Sequence, residues 1–280
     1  MTGVIGGLLA AILWGTSTVA ASRSTRMIGS QQVLGYVMLT GFVLTGVAAP
    51  AIEGIPDVGA HGAAWALLAG VASVFGLSMM YRALRIGKVG VVAPIASTEG
   101  ALAALFSIVL LGQSLSGAVA IALAVVALGV VTVTFHGSLH DLELRPSLYA
   151  FTAAAVFGVG LIASAQAGDA IGSLWTILVA RVVGLAIVVA PLMLRGDFPW
   201  PRGRALPLVV FSGFAEVAGF AGYIIGARDG VAVPAVLASQ FAAVAAFASF
   251  LIFGERLTRI QLSGALVIAA GVAAVAAMRV

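Results

Sequence analysis

The chain has 280 residues, 62% of them hydrophobic and only 9% charged, with a net charge of +4 and a mean hydropathy of +1.18. A soluble domain carries about 25% charged residues, so these charges cannot cover a soluble surface, and lipid is the solvent that makes the composition stable. At roughly 20 residues per spanning helix plus a turn, the length admits about ten or eleven spans and no added soluble domain. With no cysteines, disulfides and thiolate metal sites are excluded.

The first apolar run, 3–20, lacks a basic segment before Gly3 and reads as a retained helix rather than a cleaved signal peptide. Further spans follow at 31–50, 62–81, 89–111, 116–135, 147–166, 171–194, 205–226, 231–253 and 260–278. The longest connections, Glu53–Gly62, His136–Pro146 and Arg195–Arg204, carry the Pro, Gly and charges that mark loops. High Ala, Gly and Val content suits close helix packing in lipid.

Shifted by 142 residues, the chain matches itself. Tyr81 falls on Tyr223, Gly112-Gln113-Ser114-Leu115 on Gly254-Glu255-Arg256-Leu257, and Gly129-Val130 on Gly271-Val272; with one residue of slip, Gly15 falls on Gly158. The repeat predicts three segments: a first five-helix unit at 1–135, a connecting loop at 136–146 and a second unit at 147–280. An odd number of helices per unit makes the second enter the membrane with reversed orientation, so the expected fold is an all-α bundle of ten transmembrane helices in two inverted-topology repeats around a central cavity.

Basic residues give an independent check. The turns after spans 1, 3, 5, 7 and 9 hold Arg23, Arg26, Arg82, Arg85, Lys88, Arg145, Arg195, Arg202, Arg204, Arg256 and Arg259, eleven of the 14 Lys and Arg. The other face holds Arg228 and Arg279, and Arg181 lies within a span. The positive-inside rule puts the eleven-residue face in the cytoplasm and both termini outside. The positive balance is an orientation signal, and no nucleic-acid partner is expected.

Several stretches resemble the EamA repeat of the drug/metabolite transporter superfamily. Trp14-Gly15-Thr16-Ser17 resembles its opening signature, and Tyr81-Arg82-Ala83-Leu84-Arg85 the end of its third helix. Val91-Val92-Ala93-Pro94 with Leu110-Leu111-Gly112-Gln113-Ser114-Leu115 is similar to its fourth helix and turn. The second copy supplies Val231-Ala232-Val233-Pro234, Phe253-Gly254-Glu255-Arg256-Leu257, Gly264-Ala265-Leu266 and Ala270-Gly271-Val272. The resemblance implies a ten-helix basket with an elongated central cavity, alternating access for small metabolites such as amino acids, and cytoplasmic termini. The chain departs from the pattern at Gln113, where the repeat has Glu, at Phe157-Gly158 in place of Trp-Gly, and at acidic Glu53 and Asp57.

Of the 24 charged side chains, Glu99, Arg181 and Glu216 fall well inside predicted spans. An ionisable group at the bilayer centre costs at least about 2.5–3.5 kcal/mol, so it faces a cavity or a partner. The glutamates are candidates for a proton carrier, a cation ligand or the partner of a substrate ammonium; the bland alternative is helix glue, with Arg181 as the counter-ion. Gln240 sits close to the position repeating Glu99, with Ser97, Thr98 and Ser239 beside the two. Trp14, Tyr81, Phe214, Tyr223 and Phe241 are candidates to line a cavity for an apolar moiety, against ordinary packing or an interfacial belt. Met79 and Met80 offer an adaptable wall or a lipid-facing one. Pro94 and Pro234, near the starts of spans 4 and 9, are hinge candidates or tolerated first-turn prolines.

His61, His136 and His140 lie in connections without metal-ligand spacing, and no phosphate-cradling Gly-Lys loop is present. No Ser–His pair sits at membrane depth, so no enzyme, cofactor or metal is expected. The sequence therefore predicts a multi-pass protein of a bacterial inner membrane. Its expected function is secondary transport of a small organic metabolite, most simply amino acid export and aromatic amino acids among them, with lipid and a small solute as partners and a monomer as the default. Export of a lipophilic cation by the same fold, and a non-transporting scaffold, are the alternatives.

Overall fold

A computed structural model describes residues 2–111, 117–134, 144–201, 203–227, 237–238 and 240–277. Its elements are α1 (Thr2–Ile28), α2 (Ser30–Glu53), α3 (Ala60–Ile86), α4 (Val89–Ala96), α5 (Glu99–Leu111), α6 (Gly117–Thr134), α7 (Leu144–Ile171) and α8 (Ser173–Gly184). A π-helical turn at Leu185–Val189 carries α8 into α9 (Ala190–Leu194); α10 (Ala205–Ala227), α11 (Phe241–Phe253) and α12 (Arg259–Ala277) follow. No strand occurs among the described residues. Six helical stretches are long and apolar enough to cross a membrane: α1, α2, α3, α7, Ser173–Leu194 and Ala205–Tyr223.

The apolar windows mislead at several helix ends. α1 runs to Ile28 rather than stopping at 20, and α3 to Ile86 rather than 81. Arg23, Arg26, Arg82 and Arg85 are therefore helical and not in turns. In α1 the reason is local. Ser24 Oγ donates to the Ala20 carbonyl and Thr25 Oγ1 to the Ser22 carbonyl, so polar residues that end an apolar run find partners within the helix. α7 continues to Ile171, past the predicted end at 166, and the break falls at Gly172. Gly29 and Gly172, with φ of 94° and 91°, make the short α1–α2 and α7–α8 turns in a region that glycine enters without steric cost.

The predicted span 89–111 is two helices. Pro94 has no amide to donate, and Ser97 Oγ bonds the Pro94 carbonyl at 2.8 Å while Thr98 Oγ1 bonds the Ile95 carbonyl at 2.7 Å. Thr98 N reaches only Ile95 O at 3.1 Å, one residue short of the α-helical partner. Hydroxyls thus take the place of the ladder where it fails. Pro234 and Ser239 lie outside the described residues, as do Gly112–Leu115, Val231–Val233, Arg202, Arg228, Arg279 and most of the predicted 136–146 connection.

Helix pairs pack closely through small residues. Gly6 of α1 abuts Gly222 and Gly226 of α10, and further along Ser17 Oγ donates to Ser212 O at 3.3 Å. Ascending α1 is descending α10, so the pair is antiparallel. α3 and α7 pair in the same sense, Gly62 against Ala170 and Gly76 against Phe157. So do α6 and α12, through Gly129 with Ile268 and Gly271 with Val126, and α2 and α8, through Met38 with Gly184 and Gly41 with Arg181. With lipid tails as apolar as leucine, such close approach is what binds helices together.

The two ends of the bundle differ. At one end the last turn of α1, the start of α4 and the turn after α11 meet near Arg26, Val89 and Glu255. At the other, Glu53 at the end of α2 accepts from the Leu174 amide at 3.0 Å. That carboxylate fills an orphan donor at the start of α8 and complements the helix dipole.

Candidate functional site

The α4–α5 break puts Glu99 at the head of α5, lining a central, partly open cavity of about 100 Å³. α1 lines it with Trp14, Ser17 and Thr18, and α3 with Ser73, Leu77, Met80 and Tyr81. α7 adds Phe157, Leu161 and Ser164, α10 adds Glu216 and Phe220, and α11 adds Phe241. Both acidic residues are partly accessible, and among the described residues no basic side chain lines the cavity.

Trp14 is held from three directions. Its indole N–H donates to the Glu216 carbonyl at 3.4 Å, its ring meets Phe220 edge-on at a centroid distance of 5.0 Å, and it lies across Gly219, where a Cβ would overlap it. Phe157 lies across Gly76 in the same manner. Each ring reaches the cavity because the facing helix offers a residue without a side chain. Next in sequence to these rings, Gly15 abuts Phe241 O and Val244 on α11, and Gly158 abuts Glu99 O and Ala103 on α5.

The residues singled out by sequence divide. Trp14, Tyr81, Glu99, Glu216 and Phe241 share the cavity. Tyr223 stands behind Trp14 at 6.2 Å between ring centroids and is not part of the lining. Gln240 is the N-cap residue of α11, also off the lining. Phe214 is half-exposed on the outside of α10, while Met79 is buried beside the cavity-lining Met80. Pro94 lies inside the α4 half-helix, two residues before its end at Ala96.

Arg181 makes no direct ion pair with Glu216 among the described residues, yet the two lie close enough for their charges to interact. The arginine is 2% exposed, its guanidinium approaches Met38 Sδ at 3.5 Å, and its Nε has no hydrogen-bond partner. Gly41 makes room for its stem, and the π-helical turn begins four residues beyond it. π-turns inside α-helices recur at functional positions.

Sequence reasoning missed Phe157, Phe220, Ser73 and Ser164. Phe157 was within reach, since it occupies the place of Trp14 in the one-residue-slipped repeat. Single serines in apolar helices carry no comparable signal.

Membrane-length helices wrapped around an interior cavity of acidic, hydroxyl and aromatic side chains define a multi-pass membrane transporter. The model of the EamA-like transporter family matches residues 1–135 and again 144–277, and the chain belongs to that family. No curated protein matches it. Twenty-three chains of solved structures match. One, a crystal structure of a protein, is 18% identical over 97% of this chain and 95% of its own, with a TM-score of 0.64; it shares the fold.

Proposed function

We propose that the chain is a secondary transporter that moves a small organic solute by alternating access, built from two inverted five-helix repeats at 1–135 and 147–280. The carrying observation is the cavity itself, which draws Trp14, Tyr81 and Glu99 from one repeat and Phe157, Glu216 and Phe241 from the other. A helix start supports the repeat: α11 begins at Phe241, 142 positions after α5 begins at Glu99. The positive-φ glycines agree, Gly172 following Gly29 and Gly196 following Gly54. Packing supports the inversion, since α1 against α10 is mirrored by α7 against α3, and α1 against α11 by α7 against α5.

The site suits a solute with an ammonium group and an apolar or aromatic body. Two carboxyls bind the first, and the aromatic walls and Met80 bind the second. Amino acids, aromatic ones included, fit this description, and export of an amino acid is the leading reading. That no basic side chain lines the cavity among the described residues favours a second reading, in which the cargo is a lipophilic cation with no carboxylate to match. Glu99 and Glu216 are the residues through which a proton gradient is coupled, Tyr223 and Arg181 stand behind them, and Gln240 and Ser239 complete the second copy of the α4–α5 junction. Pro94 and Pro234 are the hinges. By charge, the face holding Arg26 and Arg85 is cytoplasmic and both termini lie outside a bacterial inner membrane.

Purified protein in liposomes under an imposed pH gradient tests this. Flux of a zwitterionic aromatic amino acid, lost in Glu99→Gln, supports the first reading; movement of a cationic dye alone supports the second. No flux of either solute would overturn both.

A further inference from the structure

The turn Gly254-Glu255-Arg256-Leu257 is specific in sequence and remote from the cavity. The structure gives its glutamate an occupation. Glu255 Oε2 accepts from the Val89 amide at 2.9 Å, and Oε1 lies 3.5 Å from the Arg26 guanidinium. Arg26 also donates to the Gly87 carbonyl at 2.8 Å and stacks over Phe253 at 5.8 Å. Val89 is the first residue of α4, and its N-cap Lys88 makes no capping bond. An orphan amide at the positive end of a helix is therefore satisfied by a carboxylate 166 positions away. Leu257 seals the contact against Gly90.

We propose that Glu255 is a latch that holds the basic face of the transporter shut, by capping α4 from the opposite repeat while paired with Arg26. This rests on the alternating-access reading above. α4 is the half-helix that leads through Pro94 to Glu99, so releasing its first turn frees the segment joining that face to the cavity. The latch is one-sided. At the repeated positions Gln113 stands for Glu255 and, with the one-residue slip of the first helices, Asp169 stands for Arg26, so the sequence supplies no acid–base pair of this kind there. The conformer closed on the basic face is thereby the favoured resting state.

The chain contains no cysteine, so one introduced at Val92, fully buried just inside the latch, reports opening by its rate of reaction with a water-soluble maleimide. In the full-length protein, Glu255→Gln is expected to raise that rate about tenfold, as befits loss of a charge-assisted hydrogen bond. Arg26→Gln is expected to raise it less, since Arg26 is 42% exposed. Val89→Pro removes only the amide, at a first-turn position that accepts proline. It should match Glu255→Gln, and the double variant should add nothing. Glu53→Gln, at the far face, should leave the rate unchanged. Labelling of both Glu255→Gln and Val89→Pro at the parental rate overturns the latch, even where flux is normal. A Val92 cysteine that stays unreactive in every variant and during substrate flux would instead overturn alternating access.

Discussion

The indole of Trp14 rests on Gly219, with no side chain between the ring and the α10 backbone. Phe157 rests on Gly76 of α3 in the corresponding way. The two rings flank one cavity, and each depends on a missing Cβ in the other half of the chain.

Gly219→Ala is expected to push Trp14 into the cavity. Overpacking of this kind costs about 1–3 kcal/mol, and because the ring is the wall of the site, substrate affinity should fall more than stability. Gly76→Ala should do the same through Phe157. Binding titration alongside thermal unfolding checks both, and unchanged affinity in either variant would show that its ring is only packing.

Glu99→Gln keeps the shape of the α5 start and removes the titrating group. Solute movement driven by a pH gradient should drop at least about tenfold, while counterflow without a gradient persists. Equal loss of both would mean that Glu99 binds substrate without carrying a proton.

Arg181→Met should leave thermal unfolding in detergent unchanged or raise it. The guanidinium is buried beside Met38 with Nε unpaired, and the cost of burying it outweighs its attraction to Glu216, the case in which an apolar side chain of similar volume is neutral or stabilising. A fall of more than about 5 °C would point to a partner formed in another conformer.

Pro94→Ala restores the amide missing from α4 and should stiffen the α4–α5 junction. Turnover is expected to fall severalfold with little change in the concentration giving half-maximal rate. The opposite pattern would place Pro94 in substrate binding rather than in motion.

A tag on the C-terminus, read by a reagent confined to one side, should lie opposite the face carrying Arg26, Arg85 and Arg259, outside the cell if the positive-inside rule governs.

Much of the bundle was legible because membrane helices must satisfy their backbones internally, so each leaves an apolar run of spanning length. The errors share a cause. Apolar windows record where lipid contact ends, whereas α1 continues through Ser22, Ser24 and Thr25 to Ile28. The α4–α5 break was invisible because Ser97 and Thr98 are small and bond within their own turn. Intramembrane charge located Glu99 and Glu216 well, since lipid tolerates neither. Arg181 sits in the interior seam between α2 and α8, where its charge still acts on Glu216. Tyr223 and Gln240 do not line the cavity themselves, and Tyr223 stands behind Trp14, a distinction that alanine-rich helices with no polar stripe do not disclose.

The cap on α4 also has a bearing on biogenesis. Val89 leaves the ribosome 166 residues ahead of Glu255, an interval of about 8–33 s at ordinary elongation rates. Throughout it, the first amide of α4 stands in the nascent protein without its acceptor. The half-helix nearest the site is therefore among the last elements to mature, and a chain stalled before Glu255 would leave that amide for water or a chaperone to satisfy.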